Sequence, residues 1–168
     1  MILLILSSLL TDFERVIHKG VFVSTFVETL QAEGTRIEFK GKMYLCMDGF
    51  RIEVLEPEKQ VLVGKGSNVW IYLENEEKPI ETTMPFGLDK LFFDKEMFRR
   101  IERGALLTII PVDSIGVDSA RIYFRAGFPR KMRIYAGEQV FWFVFNSPTI
   151  KKHIDIYSPP QWKGSRKE

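Results

Sequence analysis

Apolar and polar residues alternate with a period of two along most of this chain, the pattern of half-buried β-strands. Arg36 to Lys40 shows it plainly, with Ile37 and Phe39 on one face and Arg36, Glu38 and Lys40 on the other. Phe50, Ile52 and Val54 repeat it against Arg51 and Glu53, behind Asp48-Gly49, the strongest two-residue hairpin signal in the sequence. Residues 21–31, 43–47, 61–63, 69–73, a short piece at Ile80, 105–110, 120–125, 132–135, 140–145 and 150–157 complete the set. That makes roughly ten strands with turns every 8 to 12 residues or so, for which an antiparallel meander is the simplest topology. With two or three short helices the class is α+β, mainly β.

Three stretches depart from the alternation. Thr83 to Phe98 begins at the turn-prone Pro85 and carries Phe86, Leu88, Leu91, Phe92, Phe93, Met97 and Phe98. Positions 88, 91 and 92 have helical spacing, so a short apolar helix is predicted, either a plug over a concave sheet or the helix that completes an α+β core. Arg99, Arg100 and Arg103 read as the cationic end of that helix and Gly104 as its stop. Residues 11–20 read as a second helix, capped by Thr11, with Phe13, Val16 and Ile17 as its stripe and Gly20 as its end. In Val140 to Phe145 both faces are apolar, which demands cover on both sides or leaves a greasy patch.

Composition adds three constraints. A chain of 168 residues suits one domain with a proper core, here expected over 11–168. The net charge of +2 gives no basic field for nucleic acid. An aromatic content of 13%, with 14 Phe, fits either a lined cavity or a dense aromatic core. Cys46 is the one cysteine, so an internal disulfide is excluded, and apolar Leu45 and Met47 beside it suggest an inert, buried thiol. Residues 1–10, MILLILSSLL, are too short to span a bilayer. They read as a short export signal without its charged start, a remnant of one beginning upstream, or the apolar first turn of a helix.

Enzymatic signatures are nearly absent. His18 and His153 lie far apart and neither has a second ligand at metal spacing. No nucleophile elbow, Walker loop or dinucleotide fingerprint is present, and Gly64-Lys65-Gly66-Ser67 leads into a strand, as a hairpin turn does. Glu53 with Glu56 and Asp113 with Asp118 read as solvated faces. No enzyme, metal or cofactor is expected.

Several motifs resemble the LolA family of periplasmic lipoprotein carriers. KQVLVGKGSNVWIY (59–72) is similar to its strand, glycine turn and W-x-Y; Phe50-Arg51-Ile52-Glu53 with Pro57 resembles its F-R-W-e…P strand. FVSTFVET (22–29) looks like its F-x-a-x-F-x-Q entry, with Glu28 where the family has Gln. MPFGL (84–88) resembles the P-x-x-L start of the lid helix, residues 122–145 its paired late strands, and IDIYSPP (154–160) its closing F-x-F-x-P-P. The match is collinear over about residues 13–160. The arginine that precedes a proline and latches the lid in the family has no counterpart; Met47-Asp48-Gly49 stand there instead.

The resemblance implies an unclosed antiparallel β-barrel of ten to eleven or so strands, with helices inside its concave face as a lid over an acyl-chain cavity. The implied cavity residues are Phe50, Ile52, Val54, Trp70, Tyr72 and Trp142; the implied lid residues are Val16, Phe86, Leu88, Leu91 and Phe92. The implied function is a monomeric periplasmic carrier of acylated lipoproteins, loaded by an inner-membrane release complex and unloaded to an outer-membrane acceptor. The alternative is a periplasmic sensor or adaptor domain of the same shape that binds a lipid or protein partner, with VFWFVF as its contact.

Overall fold

A computed structural model describes residues 8–84 and 87–162. Eleven antiparallel strands form one sheet, built as two meanders. The first runs β1 (Val21–Ala32), β2 (Thr35–Cys46), β3 (Gly49–Glu56), β4 (Gln60–Lys65), β5 (Asn68–Leu73) and β6 (Ile80–Thr83). The second runs β7 (Phe98–Arg103), β8 (Leu106–Pro111), β9 (Ser119–Arg125), β10 (Phe128–Ala136) and β11 (Gln139–Lys151). They join where β1 pairs with β11, so the order is β6-β5-β4-β3-β2-β1-β11-β10-β9-β8-β7 and the sheet remains unclosed between β6 and β7.

The predicted class and meander are borne out, and the sheet is the unclosed barrel that was expected. Asp48-Gly49 makes the β2–β3 hairpin as read. Curvature has a local cause at Gly41, where the β2–β3 register shifts. A Cβ there would collide with the Glu53 carbonyl, so only glycine permits so close an approach. The free edges are blunted: β6 has four residues, all exposed, and β7 reads FRRIER.

Two helices precede and interrupt the strands. Helix α1 (Leu9–Ile17) is capped by Ser8, whose Oγ accepts from the Thr11 N–H at 3.1 Å. This corrects the expected Thr11 cap: the helix starts earlier, so Leu10 joins Phe13 and Ile17 as its buried stripe. Of the N-terminal segment read at 1–10, residues 1–7 lie outside the described residues, and Ser8 to Leu10 belong to this helix end. Helix α2 (Leu88–Phe93) occupies the connection from β6 to β7, between the two free edges of the sheet. It packs on β2 and β3.

Two other expectations are corrected. The arginines of 99–103 belong to strand β7 and not to a helix end. Asp94 stops the helix instead, its Oδ1 accepting from the N–H groups of Glu96 (3.0 Å) and Met97 (2.9 Å). The last strand ends at Lys151, and residues 152–162 form no regular element. His153 has a left-handed φ of 57°, which breaks extended pairing there.

Candidate functional site

Alternation on the curved sheet places one apolar set inside it. Directly opposed residues of antiparallel strands share a face, so Phe22, Leu45 and Phe50 form one inner row, and Met43, Ile52, Leu62 and Ile71 another. Glu28 is flanked by Phe39 on β2 and Phe143 on β11. The concave space divides into two parts. At one end the Phe13 ring lies 5.5 Å from Phe22, 5.5 Å from Phe92, 6.0 Å from Phe93 and 5.8 Å from Phe124. Leu91 and Leu107 are fully buried in the same cluster. That end is packed solid.

The other end is hollow. A cavity of about 600 Å³ lies among Leu30, Phe39, Phe50, Ile52, Val54, Leu62, Leu88, Ile115, Ile134, Phe141 and Phe143, with Glu28, Gln60 and Gln139 as its polar wall groups. Such a volume falls in the range of roughly 300–1,000 Å³ typical of small-molecule sites. A larger hollow, about 840 Å³, runs between α1 and β7, but Glu14, Lys95, Arg99, Arg100 and Glu102 line it. Glu14, Lys95, Arg100 and Glu102 already serve structural contacts there, so the apolar cavity is the candidate site. Burial alone pushes the Glu28 carboxyl up to about 7, because no partner charge or donor supports its ionised form.

The helices over the concave face are held from strand β7. Glu102 accepts from the N–H groups of Leu9 (3.1 Å) and Leu10 (3.5 Å), meeting the positive end of α1. Arg100 donates to the carbonyls of Phe92 (3.1 Å) and Asp94 (2.8 Å), taking up orphan acceptors at the end of α2. Lys95 pairs with Glu14 at 3.6 Å, tying the end of α2 to α1. At the other end of α2, Asp89 is buried with an unpartnered Oδ1, and desolvation raises its pKa. The Phe50 ring lies against both Gly64 and Gly87, where added Cβ atoms would meet it. Thus Arg100, from strand β7, holds the C-terminal end of α2.

The residues expected at the site divide as follows. Phe50, Ile52 and Val54 line the cavity together with Leu88. Leu91 and Phe92 are on α2, but they point into the solid aromatic end. Val16 is half-buried on α1, off the helix's buried stripe. Phe86 lies outside the described residues. Trp70, Tyr72 and Trp142 require correction: the register turns them to the convex face. Trp70 and Tyr72 oppose Val63 and Val61, which oppose Arg51 and Glu53. Trp142 opposes Arg133, whose guanidinium stacks 3.9 Å above its ring. Sequence reasoning missed Glu28, Leu30, Phe39, Leu62, Ile134, Phe141 and Phe143 as wall residues. For Glu28 and Leu30 the signal was parity on β1, where 26, 28 and 30 share a face.

The convex face carries a smaller core of Val21, Val23 and Ile156, beside Tyr44, Cys46, Ile154 and Tyr157. The C-terminal strap, residues 154–158, lies on it. Arg51 donates to the carbonyls of Ile156 (3.3 Å) and Ser158 (2.6 Å) and pairs with Glu53 at 2.7 Å. Tyr157 donates to Asp48 at 3.1 Å, under the Lys65 ammonium at 4.9 Å from its ring. Cys46 is half-buried next to this group, and burial pushes its thiol pKa up, away from the thiolate. Among the described residues, no helix is long and apolar enough to cross a membrane, and no group of three or more His, Cys, Asp or Glu is placed to hold a metal ion.

No sequence family matches the chain, and no curated relative is found. Solved structures do match the fold. A LolA superfamily protein from Nitrosomonas europaea aligns with a TM-score of 0.51 at 10% identity, over 87% of this chain and 93% of that one. A DUF1329 family protein from Desulfovibrio piger aligns with a TM-score of 0.51 at 10% identity, over 88% and 92%. A domain assigned to outer-membrane lipoprotein sorting, from Vibrio parahaemolyticus, aligns with a TM-score of 0.50 at 10% identity, over 87% and 93%. At such identity the shared property is the fold: this chain has the open-barrel fold of LolA superfamily structures.

Proposed function

We propose that this chain is a periplasmic carrier that takes acyl chains of lipoproteins into its concave cavity and shuttles them towards the outer membrane. An inner-membrane release complex would load it and an outer-membrane acceptor would unload it. The observation that carries the reading is the hollow of about 600 Å³, walled by Phe50, Ile52, Val54 and, from helix α2, Leu88. Burying acyl chain gains about 0.8 kcal/mol per CH₂, so a large apolar hollow is a strong acyl site and needs no covalent chemistry. Release then requires competition. Leu88 sits in the wall on α2, and movement of that helix would trade protein contacts for ligand contacts.

The test is displacement of a fluorescent acyl probe from wild type and Leu88→Glu. A charge in the wall should weaken binding about tenfold or more, because it must be desolvated when the chain enters. Equal binding by the two proteins would overturn the cavity assignment. A second reading, a sensor or adaptor of the same shape, draws on the outward Trp142, 39% exposed on the convex side. Pull-down of a lipoprotein with and without its acyl chains separates the two: dependence on acylation supports the carrier, indifference the adaptor.

A further inference from the structure

We propose that Glu28 makes the cavity selective for acyl chains joined to a hydrogen-bond-donating amide or amine, and hostile to free fatty acids. The inference rests on the acyl-cavity reading above and adds the chemistry of the attached head.

Among the described residues that line the cavity, Glu28 is the one that carries a charge. Among the described residues, no hydrogen bond or ion pair holds its carboxyl. Its cross-strand neighbours are Phe39 on β2 and Phe143 on β11, and Ile52 on β3, Ile134 on β10 and Leu88 on α2 line the same cavity; none of them titrates. The remaining polar wall groups, Gln60 and Gln139, can donate or accept, so they do not select the sign of a ligand.

An unpaired carboxylate among aromatic rings is expensive, and the protein relieves it in part by holding the proton: burial raises the group to about 7. A ligand N–H relieves it further by donating to the acceptor oxygens, and an ammonium does so with charge. A ligand carboxylate does the reverse. Two carboxyl groups in one apolar hollow cannot both ionise without a large penalty, so a fatty acid must bring a proton with it. Glu28 also stands on β1, at the centre of the sheet, where pairing on both sides fixes its position.

The test compares four competitors of equal chain length against a neutral pyrene-labelled alkane: dodecylamine, N-methyldodecanamide, methyl dodecanoate and dodecanoate. At about pH 8, where Glu28 is mostly ionised, wild type should bind the amide and the amine about tenfold more tightly than dodecanoate, with the ester between. Glu28→Gln and Glu28→Leu should each tighten binding of both the ester and dodecanoate, but of dodecanoate more, narrowing its gap from the ester by about threefold or more. Equal affinities in wild type, or a ranking that both substitutions leave untouched, would overturn the selectivity, while ester binding would leave the acyl cavity standing. If wild type binds none of the four, nor the labelled alkane, the cavity reading falls and the selectivity with it.

Discussion

The two faces of one sheet solve different problems. The concave face is mainly apolar, with Glu28, Gln60 and Gln139 as exceptions, and it is uneven: the Phe13 cluster at one end is closed, and the other end is left hollow. The convex face has only a small core, and there directional bonds from Arg51 and Tyr157 hold an irregular strap. Burial energy scales with apolar area, whereas a hydrogen bond returns only about 0.5–1.5 kcal/mol after its exchange with water. The difference teaches that the aromatic end carries the stability. It thereby frees the neighbouring walls, from Leu30 to Phe143, to be left unfilled.

The sharpest way to break that contrast is Phe13→Ala. Phe13 is fully buried among four other rings, so its truncation should lower unfolding free energy by about 3–5 kcal/mol in urea denaturation. A loss under about 1 kcal/mol would mean the closed end is not where stability resides. Next in size is Glu28→Gln. With a native pKa of about 7 against an ordinary 4.5, the folded protein binds more protons between those values, so wild-type stability falls as pH rises through that window. The variant lacks this fall. It should match wild type at the acid end and exceed it above pH 7 or so by up to about 3 kcal/mol, read from urea midpoints across pH. Parallel pH curves for the two proteins would remove Glu28 as the source.

On the convex side the effects should shrink. Arg51→Met frees the strap carbonyls to water and should cost about 1–3 kcal/mol. Amide exchange should quicken at Tyr157 and Ser158, with acyl-probe affinity unchanged; weakened probe binding would show that the faces are coupled. Trp142→Ala should cost least, under about 1 kcal/mol, since its one stacked partner is Arg133 on an exposed surface. A larger loss in calorimetry, or any loss of probe binding, would show that the outward tryptophan supports the cavity wall.

How much of this was legible follows from what alternation encodes. A period of two says that Phe50, Ile52 and Val54 share a face, and likewise Trp70 and Tyr72. It does not say which face turns inward. Only pairing settles it, and the match of Leu62 with Ile71 puts Trp70 and Tyr72 outside. Trp142 failed for the same reason, in a strand that is apolar on both sides. Glu28 escaped because a charge in an apolar line reads as a defect until Phe39 of the next strand and Phe143 of sequence-distant β11 flank it. The arginines after Phe98 were read as a helix end, whereas they form edge strand β7. Asp94 decided it locally, through a turn the apolar pattern does not register.

The placement of α2 has a mechanical consequence. The halves β1–β6 and β7–β11 share one ladder, β1 with β11, and are otherwise joined along the chain only between Thr83 and Phe98. No ladder hydrogen bond crosses the gap between β6 and β7. Spreading the two halves apart therefore works like opening a book on its spine: no sheet bond breaks, and the load falls on the covalent bridge, on the contacts of Arg100 and Glu102, and on the Phe13 cluster. A single protease cut in that bridge would leave two fragments bound along the spine, with the Phe13 cluster and the Glu102 contact on α1 left to restrain the covers.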